Sequence, residues 1–463
     1  MDQNLMRIAP KSIFGATVLA LSVSTGGQAQ TVSLQQLLPE NSALKVNGAI
    51  RIRYEGELGQ IRAGLNASDQ QLAVHTSLAA EYRTGAWRIG GELQDDRAWL
   101  GVPGSAISAS DVDTFEPIQA YVGLELPGAL GAGTKVSLLA GRFTWNLGSR
   151  RFISSDEYRN ATSAYSGLRA ELKGRDGSTV NLFYILPQAH RPDDIASVLG
   201  NRSALDRESL DLQLFGAVIS RPRVLAGATA ELGWYRLAER DAPGRPTRDR
   251  RLHTASARLV RDAAPGRADF EVEAAWQLGT VSMSTTPGAA ALAVSAGMVH
   301  AAAGWSFASP AKAHLALGFD WVEGDGPGGR YNRFDTLFGG RRFEWSPSGI
   351  FSAIGRANIL APSLRLDVAP GKRFDAMVLY RPMWLASRSD AFSNTGVADS
   401  TGRSGRFAGH QIDSRARLWL VPGRLRAEVN YDFVAKGRFL ATAPNAPRTG
   451  NTHYGAFGLS ASF

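Results

Sequence analysis

The chain contains no cysteine. That excludes thiol catalysis, cysteine-ligated metal and a disulfide scaffold. It also lacks any apolar run of some 18 residues, the length a membrane-spanning helix needs. Histidine is scarce, at seven: His75, His190, His253, His300, His314, His410 and His453. None stands in HExxH, and no GxSxG nucleophile elbow occurs, so two common hydrolase signatures are missing. Asp320–Gly329 has the acids and glycines of a calcium loop but not EF-hand spacing, and reads as a solvated loop. The sequence therefore offers no metal or cofactor motif. Acid is outnumbered by base, 42 residues to 51, for a net charge of +9 at pH 7. Such a balance suits anionic partners without choosing among them. The basic residues are interleaved with acids rather than gathered in one stripe, which argues against nucleic acid.

What is present begins with a secretory pattern. Arg7 and Lys11 form a weakly basic start, Ile13 to Val23 an apolar stretch, and Gly27-Gln28-Ala29 a small-x-small cleavage site. Residues 1–29 are expected to be a signal peptide whose removal leaves a charge of about +8. Residues 30–46 carry few strand signals and read as a periplasmic lead-in. An exported chain without helical spans is either soluble or an outer-membrane barrel over 47–463.

From Asn47 onward the pattern has period two. In Gly48–Glu55, Ile50, Ile52 and Tyr54 take one face while Arg51, Arg53 and Glu55 take the other. The same alternation recurs along the chain, and 18 strands are predicted: 47–57, 71–82, 86–95, 115–126, 134–143, 165–172, 178–187, 209–220, 225–236, 250–261, 267–278, 298–307, 311–321, 362–369, 373–384, 409–420, 424–433 and 454–463. The apolar stretch Gly349–Leu360 is left as a loop, with a further strand as the alternative. Connections alternate short and long, as in a barrel with short periplasmic turns and long external loops. Both termini then fall on the periplasmic side. Alternation alone does not say which face is inside: a soluble sandwich buries its apolar face, and a membrane barrel turns it outward. The signal segment, the loop alternation and a last strand ending on Phe463 favour the barrel. Trp87, Trp234, Trp276, Trp321, Trp384 and Trp419 fit an aromatic girdle. Thus the predicted fold is all-β, a transmembrane antiparallel barrel of the Gram-negative outer membrane.

One stretch concentrates chemistry. Gly141–Ala170 carries Arg142, Arg150, Arg151, Arg159 and Arg169 in or beside a long loop. Guanidinium stays charged and pairs bidentately with carboxylates. The sequence GR, LGSRR, EYRN and YSGLRA in this stretch resembles the first signature of the alginate export family of outer-membrane barrels. Tyr331–Ala357 (YNRFDTLFGGRRFEWSPSGIFSAIGRA) resembles the second. Tyr158 and Tyr165 stand where that family carries Trp and Phe, and Arg341-Arg342-Phe343 where it carries a histidine-containing segment. These differences bear on the substrate rather than the fold. The resemblance implies an 18-stranded barrel whose arginine-rich lumen passes a uronate polysaccharide.

Arg142, Arg151, Arg159, Asn160 and Arg169 are therefore expected at the constriction, with Arg88, Arg365, Arg415 and Arg417 on lumen-facing strand positions. The expected partners are anionic polysaccharide or small anionic solutes, outer-membrane lipid, periplasmic export components, and the barrel assembly machinery through Phe463. Arg245 and Arg248, in another long loop, are expected to add only bulk charge. A barrel enzyme such as a lipase, and a non-transporting structural or receptor barrel, remain as alternatives.

Overall fold

The computed structural model describes residues 33–463 apart from 157, 243, 342, 343 and 348. The proposed signal segment, 1–29, lies outside them, as do Arg342 and Phe343. From the lead-in, a 3-10 turn at Leu34–Leu37 leads to β1 (Leu44–Leu58). There follow β2 (Ser68–Thr84), β3 (Trp87–Trp99), β4 (Asp113–Pro127), β5 (Lys135–Phe143), β6 (Tyr165–Lys173) and β7 (Thr179–Pro187). After the short helix α1 (Ile195–Leu199) come β8 (Leu212–Arg221), β9 (Thr229–Glu239), β10 (Arg251–Arg261), β11 (Arg267–Ser282), β12 (Ala291–Ser306) and β13 (His314–Val322). The two-residue β14 (Arg330–Tyr331) precedes β15 (Ile359–Val368), β16 (Phe374–Trp384), β17 (Phe407–Val421) and β18 (Leu425–Lys436). The short helix α2 (Arg438–Thr442) precedes the last strand, β19 (Thr452–Ser462).

Every wall strand pairs antiparallel with its sequence neighbours. β13 pairs directly with β15, and β14 pairs with β12, in parallel. β1 pairs with β19 from Ala49↔Ser462 to Leu58↔His453, so the sheet closes as a barrel of 18 wall strands. Closure leaves no unpaired edge, the condition for spanning a membrane with strands. All 18 predicted strands are present, and short and long connections alternate around the wall.

Boundaries shift by up to four residues elsewhere, and the two strand starts that differ most are those of β12 and β9. β12 starts at Ala291, not 298: Leu292 and Val294 stand among Ala, Ser and Gly in Ala291–Gly297, a weak local strand signal. Cross-strand pairing to β11 at Trp276–Ser282 fixes them there. β9 starts at Thr229, because Val224–Gly227 is apolar but turned, with Ala226 and Gly227 at positive φ. Gly349–Leu360 is almost wholly outside the strands; only its last two residues join β15.

The exposed face is apolar. Leu168, Leu232 and Leu317 are at least 60% exposed, whereas Arg53 and Glu55 on the opposite parity are 3% and 0% exposed. That is the inversion of a soluble protein, and it places the charged residues in the lumen. Trp87, Trp234 and Trp276 point outward, as a girdle requires. Trp419 departs from that expectation. It shares the inward parity of Arg417, and the Arg426 guanidinium lies 5.5 Å from its ring.

Candidate functional site: a loop-filled lumen

Two long connections enter the barrel, 144–164 and 323–358. They join along a short ribbon. Ile153 bridges Phe338 in parallel, the Phe338 amide donates to the Phe152 carbonyl (2.9 Å), and the Ser154 amide donates to the Phe338 carbonyl (3.0 Å). The Gly340 amide donates to the Arg150 carbonyl (3.0 Å). At Gly339 a Cβ would overlap the Arg151 carbonyl, so glycine is what lets the two backbones meet.

Aromatic packing holds this ribbon against one side of the wall. Phe152 lies 5.0 Å from Tyr235 of β9, Trp145 5.4 Å from Phe183 of β7, and Tyr165 of β6 6.3 Å from Phe338. These separations suit edge and tilted aromatic contacts. Ile350, Phe351, Ala353 and Ile354, from the stretch left as a loop, are fully buried in the same core. An apolar segment need not be a strand; here it fills the lumen.

A charged knot fixes the far end of the ribbon. Arg151, 1% exposed, pairs with Glu271 (2.5 Å) and also with Glu273 and Glu344. Glu344 binds Arg356 as well, and the Arg356 guanidinium donates to the Gly340 carbonyl (2.7 Å). Burial opposes ionisation of Glu344, but Arg151 and Arg356, and then His300, outweigh it and hold the carboxyl below the usual carboxylate range. Removing one partner of such a buried group strands the others, which is why it braces the loops.

Space remains on both sides of the ribbon. Toward the short turns lies a cavity of about 340 Å3. Its lining includes Arg51 and Arg53 of β1, Arg150 of the ribbon, Arg415 and Arg417 of β17, and Arg426 of β18, against only two acids, Asp156 and Glu428. Some of this charge is engaged with the wall: Arg53 with Glu55 (2.7 Å), Arg417 with Asp375 (2.8 Å) and Arg426 with Glu428 (3.5 Å). Toward the long loops lies a cavity of about 660 Å3, lined by Arg159, Arg245, Arg248, Arg250, Arg333, Arg341 and Arg356 and by the acids Asp156, Glu239 and Asp335. Two of those three acids are taken up by Arg250, at 2.8 Å each. Asp156 lines both cavities and pairs with Arg159 at 2.9 Å. Burial, and next the charge of Arg159, push Arg341 down to about 9, so it stays cationic at neutral pH.

The predicted site residues divide accordingly. Arg159, Arg415 and Arg417 line the cavities. Arg142 and Arg151 do not meet them at one constriction as expected. Arg142 is bound by Glu116 and Glu208, and Arg151 is locked in the carboxylate knot. Arg169 lies between the rings of Phe143 (5.3 Å) and Trp145 (5.2 Å), a cation–π position within the aromatic packing. Asn160 is fully buried. Its amide donates to the carbonyls of Val74, Arg97 and Asp111 at 2.9–3.1 Å, so it clamps the loop to the wall. Arg88 lies 3.9 Å from Glu81, and Arg365 pairs with Asp367 at 2.7 Å. Neither lines either of these two cavities.

Arg245 and Arg248, expected to carry bulk charge, line the outer cavity; Arg248 stacks 4.7 Å from the Tyr331 ring. Arg333 and Arg356 were not singled out from the sequence, and Arg341 was named only as a departure from the family pattern, although all three lie in the second signature-like stretch. That stretch was the available signal.

Comparison with known proteins agrees with this architecture. The family model for alginate export matches residues 42–452. Among solved structures, Pseudomonas aeruginosa OpdQ superposes with a TM-score of 0.57 at 12% identity, covering 91% of this chain and 97% of that one. Pseudomonas aeruginosa OccK3 (OpdO) gives 0.56 at 13%, covering 93% and 98%. Pseudomonas aeruginosa OccK2 (OpdF), solved in complex with glucuronate, gives 0.54 at 12%, covering 91% and 96%. At such identities the likeness concerns the fold. No curated protein matches the chain in sequence.

Proposed function

Because the chain belongs to the alginate export family, and is thus an outer-membrane channel, we propose that its substrate is an anionic uronate polysaccharide carried along the two arginine-lined cavities. The observation that carries this reading is the excess of guanidinium over carboxylate in both. It is six to two on the turn side and seven to three on the loop side. Rings of arginine favour anions in a pore. A carboxylate about 4 Å from a guanidinium gains roughly 1 kcal/mol in bulk water and about 4 at the effective dielectric near a protein surface. Several such contacts in series bind each sugar unit while letting it move on. The carboxylate ligand of the OccK2 structure, glucuronate, supports the same class. A transport family and porin-like barrel neighbours favour a channel over a barrel lipase.

Planar-bilayer recording tests the reading. The wild type should be anion-selective under a KCl gradient, and oligouronates should block its current. The double variant Arg51→Glu, Arg417→Glu should lower the anion-to-cation permeability ratio several-fold and weaken block. Arg221→Glu and Arg223→Glu, on a short turn outside both cavities, serve as controls. A cation-selective wild type, or equal effects from both pairs, would overturn the proposal.

A further inference from the structure

Outside the lumen path, a second set of buried groups lacks an explanation. At the loop end of β4, Asp113 is 0% exposed, and neither of its carboxylate oxygens has a hydrogen-bond partner. A buried, unpaired carboxylate is costly unless something positive meets it. The 188–211 connection brings two further donors to the same point. Ala189 and Arg207 form an antiparallel bridge, which sets His190 against Asp206. His190 Nδ1 lies 2.9 Å from Asp206 Oδ2 and 3.9 Å from Asp113 Oδ2, and the three ligand atoms lie within 4.8 Å of one another.

The surroundings fit a ligand set. The Arg191 amide donates to the other Asp206 oxygen (2.8 Å), and the Asp206 amide donates to Glu116 (2.9 Å), which orients the carboxylate toward His190. Glu116 and Glu208 add two more acids nearby. Among the described residues, the guanidinium bonded to this group is Arg142, and Glu116 and Glu208 already share it. The cluster is thus short of positive charge.

We propose that Asp113, His190 and Asp206 bind one divalent transition-metal ion of the zinc or manganese class, which ties the neck of the 188–211 connection to the rim of β4. One imidazole nitrogen with two carboxylates suits such ions, whereas calcium and magnesium favour all-oxygen sets. Ligand atoms at about 2.1 Å from one ion sit roughly 3.0–3.4 Å apart. The His190–Asp206 separation of 2.9 Å is already near that value, and Asp113, 3.9 Å from His190, must draw in toward the pair. A second His–Asp–Asp trio shows what is missing elsewhere. His314 touches Asp269 (2.9 Å) through Nε2 but faces Asp367 (3.9 Å) through Nδ1. No single point is shared there, because the two nitrogens lie on opposite edges of the ring.

The test uses the full chain in detergent, stripped with EDTA and dialysed against Zn2+, Mn2+ or Ca2+. Elemental analysis should find one Zn2+ or Mn2+ per chain. Asp113→Asn and His190→Ala should each weaken binding by at least about tenfold, while His314→Ala leaves it unchanged. A heat-modifiable gel shift checks that each variant is folded. Bound Zn2+ should also slow proteolysis between residues 191 and 205 in the wild type. If a variant fails to fold, Co2+ added to the wild type decides the matter: a visible d–d band displaced by Zn2+ supports the site. The absence of that band, no bound Zn2+ or Mn2+, binding of Ca2+ alone, or undiminished binding by folded Asp113→Asn would each overturn the proposal. The last result would fit a proton shared by the two aspartates instead.

Discussion

Arg151 lies among Glu271, Glu273 and Glu344 with its side chain 1% exposed, whereas Arg417 faces the inner cavity with Asp375 as its acid partner. The same guanidinium is a brace in one place and a candidate contact in the other. The number of carboxylates that reach it makes the difference. Asn160 is a brace of another kind. Replacing it with alanine removes the amide that the carbonyls of Val74, Arg97 and Asp111 share, and a buried polar group left unsatisfied costs about 1–3 kcal/mol. Asn160→Ala should therefore lower the midpoint of heat modification and make the open-channel current noisier, with ion selectivity kept. Arg417→Glu should do the reverse, shifting selectivity with little change in that midpoint. Identical behaviour of the two variants would show that the distinction is wrong.

The element that decides access is the ribbon made by 144–164 and 323–358, because it divides the lumen into the two cavities. Its aromatic side is packed against β5–β9, and its charged side is held by Glu344. Glu344→Gln removes one charge from a knot of buried partners, a loss on the order of 3 kcal/mol. The ribbon should then loosen, and single-channel conductance should rise or flicker relative to wild type at pH 7. The pH dependence follows from the sign of the shift. The Glu344 carboxyl is depressed in the folded state, so its contribution is full above the unfolded value of about 4.3. It is lost only as the pH falls through the lower folded value. Glu344 should accordingly stay ionised, and its titration should change conductance nowhere between pH 8 and 5. A marked opening within that range would mean that another group governs the ribbon.

At the scale of the whole molecule, stability depends on closing the wall. The amide and carbonyl of Phe463 exchange hydrogen bonds with Gly48 at 2.9 Å, and its ring covers the space where a Gly48 side chain would be. Deleting Phe463 removes both bonds and the aromatic cover at the seam of β1 and β19. Surface-exposed protein should fall several-fold in an outer-membrane fraction assay. Unchanged levels would reduce Phe463 to one more lipid-facing residue. The intact barrel itself should give a strand-dominated circular dichroism spectrum and a heat-modifiable gel shift.

Strand number, face parity and the alternation of short and long connections were legible in the sequence because each depends on local period and turn chemistry. Ile52 and Arg53 take opposite faces by geometry alone, whatever lies on either side. The arginines of Gly141–Ala170 were legible as a group, but their division into braces and cavity contacts was not. Arg151 meets Glu344, 193 positions away, and Arg51 reaches the Arg159 carbonyl across 108. Such partners are chosen by how two loops fold into a closed wall, a long-range event with no local period. The inward path of Gly349–Leu360 belongs to the same class. Its apolar residues fit a strand or a core equally well, and only the lumen left open by 18 paired strands decided that they would fill it.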